Sequence, residues 1–390
     1  MYRLRNAVRD YDWGSRTQIP TFLGATPADG PVAEVWLGTH ELSPSRTEAG
    51  APLSEVAGPL PFMMKILAAD RPLSLQVHPA AQLARAGYEA ENAAGVPLDA
   101  PHRSYKDPRH KPEMVYALTT FDTLVGFRPT AEILRVLDPI GTAETTRLAE
   151  ELRLKPGFDG IVRIVEQVLS QPPGPAEVAA ITDRCRQLVG DHLDVKRAYA
   201  TLLEIAEHFP SDPGLVISLM LNRLTLQPGE AAFLGAGIIH AHLRGMCIEV
   251  MTSSDNVLRA GLTAKHVEPD ALVTCLERGM SRLARIAPEA VGTETEVFAP
   301  EVEEFALAVT QVAAADAAGT VLHGGGHRIV LCTGGAVVLV SAGGERAPLV
   351  RGDSVYVTPE ETSVRVVGTG EVAVAFTPDH ETSGRLIDLV

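Results

Sequence analysis

The chain has 390 residues, 45% hydrophobic and 21% charged, with 34 Lys and Arg against 49 Asp and Glu for a formal net charge of −15. That is enough polypeptide for two or three domains with their own cores, in a composition typical of globular proteins. So acidic a surface argues against nucleic acid and anionic membranes as partners, and an anionic small substrate would need a local cluster of Arg and Lys.

The four cysteines, Cys185, Cys247, Cys275 and Cys332, form no CxxC pair. The pattern suits a reduced compartment and argues against a structural Cys–zinc site. The amino terminus, MYRLRNAVRDYDWGS, lacks the apolar centre of a signal peptide, and no apolar run approaches the ~20 residues that span a bilayer. The expectation is a soluble, cytoplasmic protein, monomeric or weakly homo-oligomeric.

Residues 1 to about 128 are turn-rich, with short apolar segments, VAEVWLG, PFMMKIL and MVYALTTFDTLVGF, that predict strands. Between them stands SLQVHP, residues 74–79. Leu75 and Val77 read as buried, yet Gln76 and His78, with Ser74 in phase, share the other face of an extended chain. Burying such groups costs a few kcal/mol unless something satisfies them, so they close a private hydrogen-bond network or they face a site. RHKPEMVYAL then places Glu113 at the opening of an apolar strand, where a carboxylate needs a charge partner or a metal.

From about 130 to 222 the period becomes helical. Ile161, Ile164, Val165 and Val168 stand at i, i+3, i+4 and i+7, and AEVAAITDRCRQLVG and VKRAYATLLEIAEHF continue the pattern. QPPGP separates two helices, and SDPG at 211–214 offers a capped helix start. From Leu224 strands and Gly turns return. The predicted fold is mainly β with a helical insertion: a jelly-roll core (1–129 plus 223–265), an inserted helical domain (130–222) and a second, metal-free β domain (266–390).

A faint internal repeat supports two such β units. LQPGEAAFLGAGIIHAH runs turn, strand, turn, strand and sets His240 eleven residues after Gly229; LVRGDSVYVTPEETSVRV repeats the outline, with Ser363 eleven residues after Gly352. A histidine on the returning strand suits a cupin-type jelly roll, where it faces a metal inside the barrel. Of the twelve histidines, His192, His208, His323, His327 and His380 lie in loop or helical contexts with nothing beside them. His78 and His240 lie on apolar strands. With Glu113 and the Gln76 amide they would form a borderline N/O site for a divalent transition metal, zinc first among them.

At these residues the chain resembles the type I phosphomannose isomerases, zinc-dependent enzymes of the cupin superfamily. The resemblance is carried by YDWGS, VAEVWLGTHELSPS, LSLQVHP, YKDPRHKPEMVYAL, LNRLTLQPGEAAFLGAGIIHAHLRG and IEVMTSSDNVLRAGLTAKHVE, in the family's order across residues 11–268. It implies one Zn2+ per chain held by Gln76, His78, Glu113 and His240, a catalytic arginine at Arg259, and interconversion of mannose 6-phosphate and fructose 6-phosphate. Isomerisation also needs a base for the carbon-bound proton, with Lys111, Glu249 and His110 as candidates. Lys265, Ser74 and Lys65 are candidates for the phosphate of the sugar-phosphate substrate. Two positions depart from the family text. His242 replaces the usual Tyr and shares a face with His240, and Arg109 replaces the usual Asn before HKPE. An iron-dependent cupin dioxygenase, which would not need Arg259 or Lys265 and would consume oxygen, and a non-catalytic sugar-binding cupin, which would keep the pocket but tolerate loss of the metal, are the alternatives.

Overall fold

The computed structural model describes residues 1–189, 195–277, 284–313 and 318–378; His192 and His380 lie outside these. Alternation along the central strands decides what each face covers. In Phe62–Ala69, the side chains of Met64, Ile66 and Ala68 pack with Val35, Met114, Ile248 and Val250 against Phe305 and, on the carboxyl-terminal sheet, Leu307, Ile329 and Leu331. Leu67 and Ala69 point the other way, into a cluster with Val115, Phe121, Val125, Leu224 and Cys247 that fills a barrel. Each fully buried aliphatic side chain contributes ~1.5–3 kcal/mol.

One wall of the barrel runs Ala7–Arg9, Glu34–Leu37, Phe62–Ala69, His240–Thr252, Glu113–Ala117, Ala231–Leu234 and Arg285–Ile286 in spatial order. The other is built from Gln76–Val77, Leu258–Arg259, Phe121–Phe127 and Leu221–Leu226. The 13-residue strand His240–Thr252 belongs to both. Its first residues pair with Gln76 and with Phe121–Phe127; from Gly245 onward it pairs with Phe62–Ala69. The bend falls at a register shift between His242 and Arg244. Gly245 follows it at φ 113°, where a Cβ would stand 2.4 Å from the Thr120 carbonyl oxygen, so only glycine serves.

The insertion forms the helices Thr130–Leu137, Ala143–Leu154, Phe158–Ser170, Pro175–Leu188, Lys196–Ala206 and Gly214–Leu219. In Phe158–Ser170 the buried stripe is Ile161, Ile164, Val165 and Val168, as the spacing predicts. Their core continues into the barrel wall, taking in Leu75, Val77, Leu258, Ala260 and Leu262. The helices therefore support the back of the two short strands that carry Gln76 and Arg259.

This is the mainly β fold with a helical insertion and a second β unit that the sequence predicts. Two segments sit outside the expected division. Tyr2–Arg5 pairs with Ser354–Val357 in the carboxyl-terminal sheet, where Leu4 packs on Tyr356. Pro269–Cys275 is a helix, and it buries Leu272 and Cys275, three residues apart, in the helical core. A four-residue strand and a two-turn helix carry too little pattern to show their partners. The two halves of the internal repeat have matching strands: four residues (Ala231–Leu234, Ser354–Val357), then 13 (His240–Thr252, Val364–Phe376). No described helix is long and apolar enough to cross a membrane. All four cysteines are free and buried.

Candidate active site

Where the two walls meet, His78, Glu113 and His240 turn into the barrel. All three are buried, and their donor atoms lie close enough to hold one metal ion. The backbone fixes both rings. His78 Nδ1 is 2.6 Å from the Asn256 carbonyl oxygen and His240 Nδ1 is 2.9 Å from that of Ile238, so each Nδ1 carries the donated proton. Each Nε2 therefore offers a lone pair to the interior.

These lone pairs meet no donor among the described residues. His78 Nε2 is 3.3 Å from Glu113 Oε1 and His240 Nε2 is 3.4 Å from Glu113 Oε2, yet both Nε2 atoms and Glu113 Oε2 are buried without a hydrogen bond. Unpaired acceptors in a dry interior are costly. Two donors ~2.0–2.1 Å from a tetrahedral zinc stand about 3.4 Å apart, the spacing seen here. Burial first, then the charge of Lys111, lowers the His78 pKa to about 4, so its ring is neutral near pH 7. Burial opposes ionisation of Glu113, but the charge of Lys111 outweighs it and holds the carboxyl well below its usual range.

The two-residue strand Gln76–Val77 completes the cluster. Gln76 lies opposite His240 on one side and Arg259 on the other, and directly opposed residues of an antiparallel pair share a face. The amide, the imidazole and the guanidinium thus line one surface. Val77 and Leu258 turn away into the helical core. Ser74, two residues before Gln76, is half-buried.

The remaining candidates separate clearly. Lys111 Nζ is 3.0 Å from Glu113 Oε1, inside the site. His110 Nε2 is 2.5 Å from Glu304 Oε1, so it faces the carboxyl-terminal domain. Lys65 is buried, with Nζ 2.9 Å from Glu249 Oε2 and 3.6 Å from Glu34 Oε1, while Trp36 Nε1 donates to Glu34 Oε2 at 2.7 Å. That leaves Lys65 a counter-charge inside the barrel rather than a cation at its mouth. Burial works against the Glu249 charge, but Lys65 and His242 prevail and lower its pKa to about 2. His242 Nε2 lies 3.5 Å from Glu249 Oε1, and its Nδ1 contacts Thr123 Oγ1 at 3.2 Å. Arg109 is exposed and donates to the Ser253 carbonyl at 3.0 Å.

Arg259 is half-buried, and its guanidinium makes no hydrogen bond or ion pair to any described residue. It lines a cleft with Arg103, Ser104, Leu258, His266 and Glu268. Lys265 is exposed and close enough to Arg259 for the two charges to repel, and Lys106 feels Arg259 too. A cationic patch therefore exists on this acidic protein. Sequence reasoning missed Lys106 and Asn256. The Asn256 side chain accepts from Lys106 N at 2.7 Å and donates to the carbonyls of Asp107 and Arg109 at 2.7 and 2.8 Å, fixing the loop before HKPE beside the His78 support. The polar run SSDN between two apolar strands was the available signal.

Known proteins carry the same plan. Residues 1–130 match the family model for the catalytic domain of type I phosphomannose isomerase. Mannose-6-phosphate isomerase of Salmonella typhimurium is 34% identical over 96% of this chain and 98% of its own, and that of Schizosaccharomyces pombe is 30% identical over 96% and 98%. The crystal structure of the Salmonella enzyme bound to fructose 6-phosphate and zinc superposes with a TM-score of 0.88 at 32% identity, covering 97% of this chain and 100% of the other. By sequence, by fold and by the order of its motifs, the chain belongs to the type I phosphomannose isomerases.

Proposed function

We propose that this chain interconverts mannose 6-phosphate and fructose 6-phosphate, with zinc held by Gln76, His78, Glu113 and His240. One observation carries the reading: three buried ligand atoms without hydrogen bonds among the described residues converge, one strand away from Arg259, whose guanidinium has no partner among them. The substrate and zinc named for the Salmonella structure support it. Two neutral imidazoles, an amide and one carboxylate would leave a divalent ion with a net charge near +1, which suits an anionic intermediate. Bound zinc would supply Lewis-acid polarisation of the sugar's carbonyl and hydroxyl oxygens.

The protein's own groups have separate tasks in moving a proton between C1 and C2. Arg259 sets a permanent positive charge beside the oxygen where the enediolate charge develops. Lys111, 3.0 Å from Glu113, is the group placed to carry the proton. Glu249 is the weaker base: its Oε2 is held by Lys65 and its pKa is about 2. Its part is to pair Lys65 and orient His242. His110 is occupied by Glu304. The phosphate is received at the mouth by Lys265, with Ser74 on the ligand face and Lys106 adding positive charge.

The test is Arg259→Ala, assayed by coupling fructose 6-phosphate formation to a reporter enzyme. Zinc content should stay at about one per chain while turnover falls about 10²- to 10³-fold, the usual effect of losing one preorganised stabilising group. Wild-type turnover in that variant would remove Arg259 from the reaction.

A further inference from the structure

We propose that Asp212, supplied by the inserted helices, is a positioning residue for Arg259. This role rests on the reading of Arg259 as the substrate-facing cation given above. SDPG looks like a helix cap, but the Asp212 carboxylate does more than cap. Its Oδ1 accepts the backbone N–H of Gly214 at 2.7 Å and that of Leu262, fifty residues on, at 2.8 Å. Its Oδ2 accepts the N–H of Thr263 at 3.1 Å. One carboxylate thus ties the start of a helix to the turn that follows Arg259.

That turn does not hold itself. Leu262 is the one described non-glycine residue with positive φ, 54°, a conformation disfavoured for a branched side chain. Beside it Gly261 has φ 116° and crosses Gly214 so closely that a Cβ on Gly261 would stand 2.8 Å from the Gly214 Cα. Two of the three N–H groups that Asp212 receives, Leu262 and Thr263, belong to this turn. The strand it terminates is two residues long, Leu258–Arg259, joined to its neighbour by Ala260 N to Leu75 O at 2.8 Å and Leu75 N to Gly261 O at 3.1 Å. So short a strand carries little register information of its own, and a slip of one residue would turn Arg259 towards the helical core. Among the described residues Arg259 has no side-chain partner to resist that. Its aim is set by the backbone, and the backbone is set by Asp212. The helical insertion is in this sense part of the active site without touching substrate.

The experiment compares zinc-loaded Asp212→Asn, Asp212→Ala, Arg259→Ala and the double variant Asp212→Ala/Arg259→Ala in metal content, thermal stability, kcat and KM. Asp212→Ala should keep about one zinc per chain and lose kcat by about ten- to a hundred-fold, as expected for a misplaced catalytic group. Asp212→Asn keeps an acceptor for Gly214 and Leu262 and should lose less. In the Arg259→Ala background the Asp212→Ala change should slow turnover no further while still lowering the melting temperature, since a positioning residue has nothing left to position. Wild-type kcat in both Asp212 variants, or a loss that multiplies in the double variant, overturns the assignment. If Arg259→Ala itself turns over normally, the reading of Arg259 fails first and the positioning role falls with it. If Asp212→Ala does not fold, the graded kcat of Asp212→Asn decides.

Discussion

Lys65→Met probes the charge arrangement inside the barrel. The ammonium stands 2.9 Å from Glu249 and 3.6 Å from Glu34, with all three side chains buried. At an effective dielectric of about 20 those attractions are about 6 and 5 kcal/mol. Methionine avoids the desolvation cost of the ammonium but leaves two carboxylates facing each other with no cation between them. The net loss expected for one partner of a buried ion pair is about 3–5 kcal/mol, or on the order of 10 °C in melting temperature. Adding Glu249→Gln to Lys65→Met should recover part of it. Glu249, at about 2 in the native protein, should rise once Lys65 is gone, so the gap between native and variant should narrow as pH falls from 7 toward 4.5. Urea unfolding of metal-free protein at both pH values measures this. Emission from Trp36, one of two tryptophans and hydrogen-bonded to Glu34, reports locally. Unchanged stability with a KM raised several-fold would refute this reasoning and return Lys65 to the phosphate.

Lys111→Met and His110→Ala separate two neighbouring candidates: the first should abolish most turnover, and the second should leave kcat within about threefold, because its ring is engaged by Glu304. Comparable losses in both would contradict the assignment. The metal-free protein should lose stability in acid. His78 has a folded pKa of about 4 against 6.5 when unfolded, so between those values the unfolded chain binds the extra proton. The stabilisation is complete above pH 6.5 and falls as pH drops towards 4, by about 3 kcal/mol in all. A flat denaturation profile across that window would mean that the ring is not held neutral by burial.

Much of this was legible in the residues. Gln76 and His78 alternating with buried Leu75 and Val77, and Glu113 opening an apolar strand, announce side chains that need something inside. The stripe Ile161, Ile164, Val165, Val168 announces a helix. What stayed hidden depends on long-range register. Lys65 meets Glu249 because two strands 184 residues apart pair Lys65 with Glu249, and no local pattern reports that. The same holds for Asp212, which reads as a helix cap until the chain brings Leu262 and Thr263 to its carboxylate. His110 and Lys111, adjacent in sequence, part company because alternation sends one towards Glu304 and the other towards Glu113.

Zinc-dependent isomerisation is read out by titrating metal against activity. Protein stripped with a chelator should show no mannose 6-phosphate isomerisation, and activity should return in proportion to added zinc, saturating at about one ion per chain. Saturating activity in the stripped protein, or a stoichiometric iron site that consumes oxygen, would contradict it.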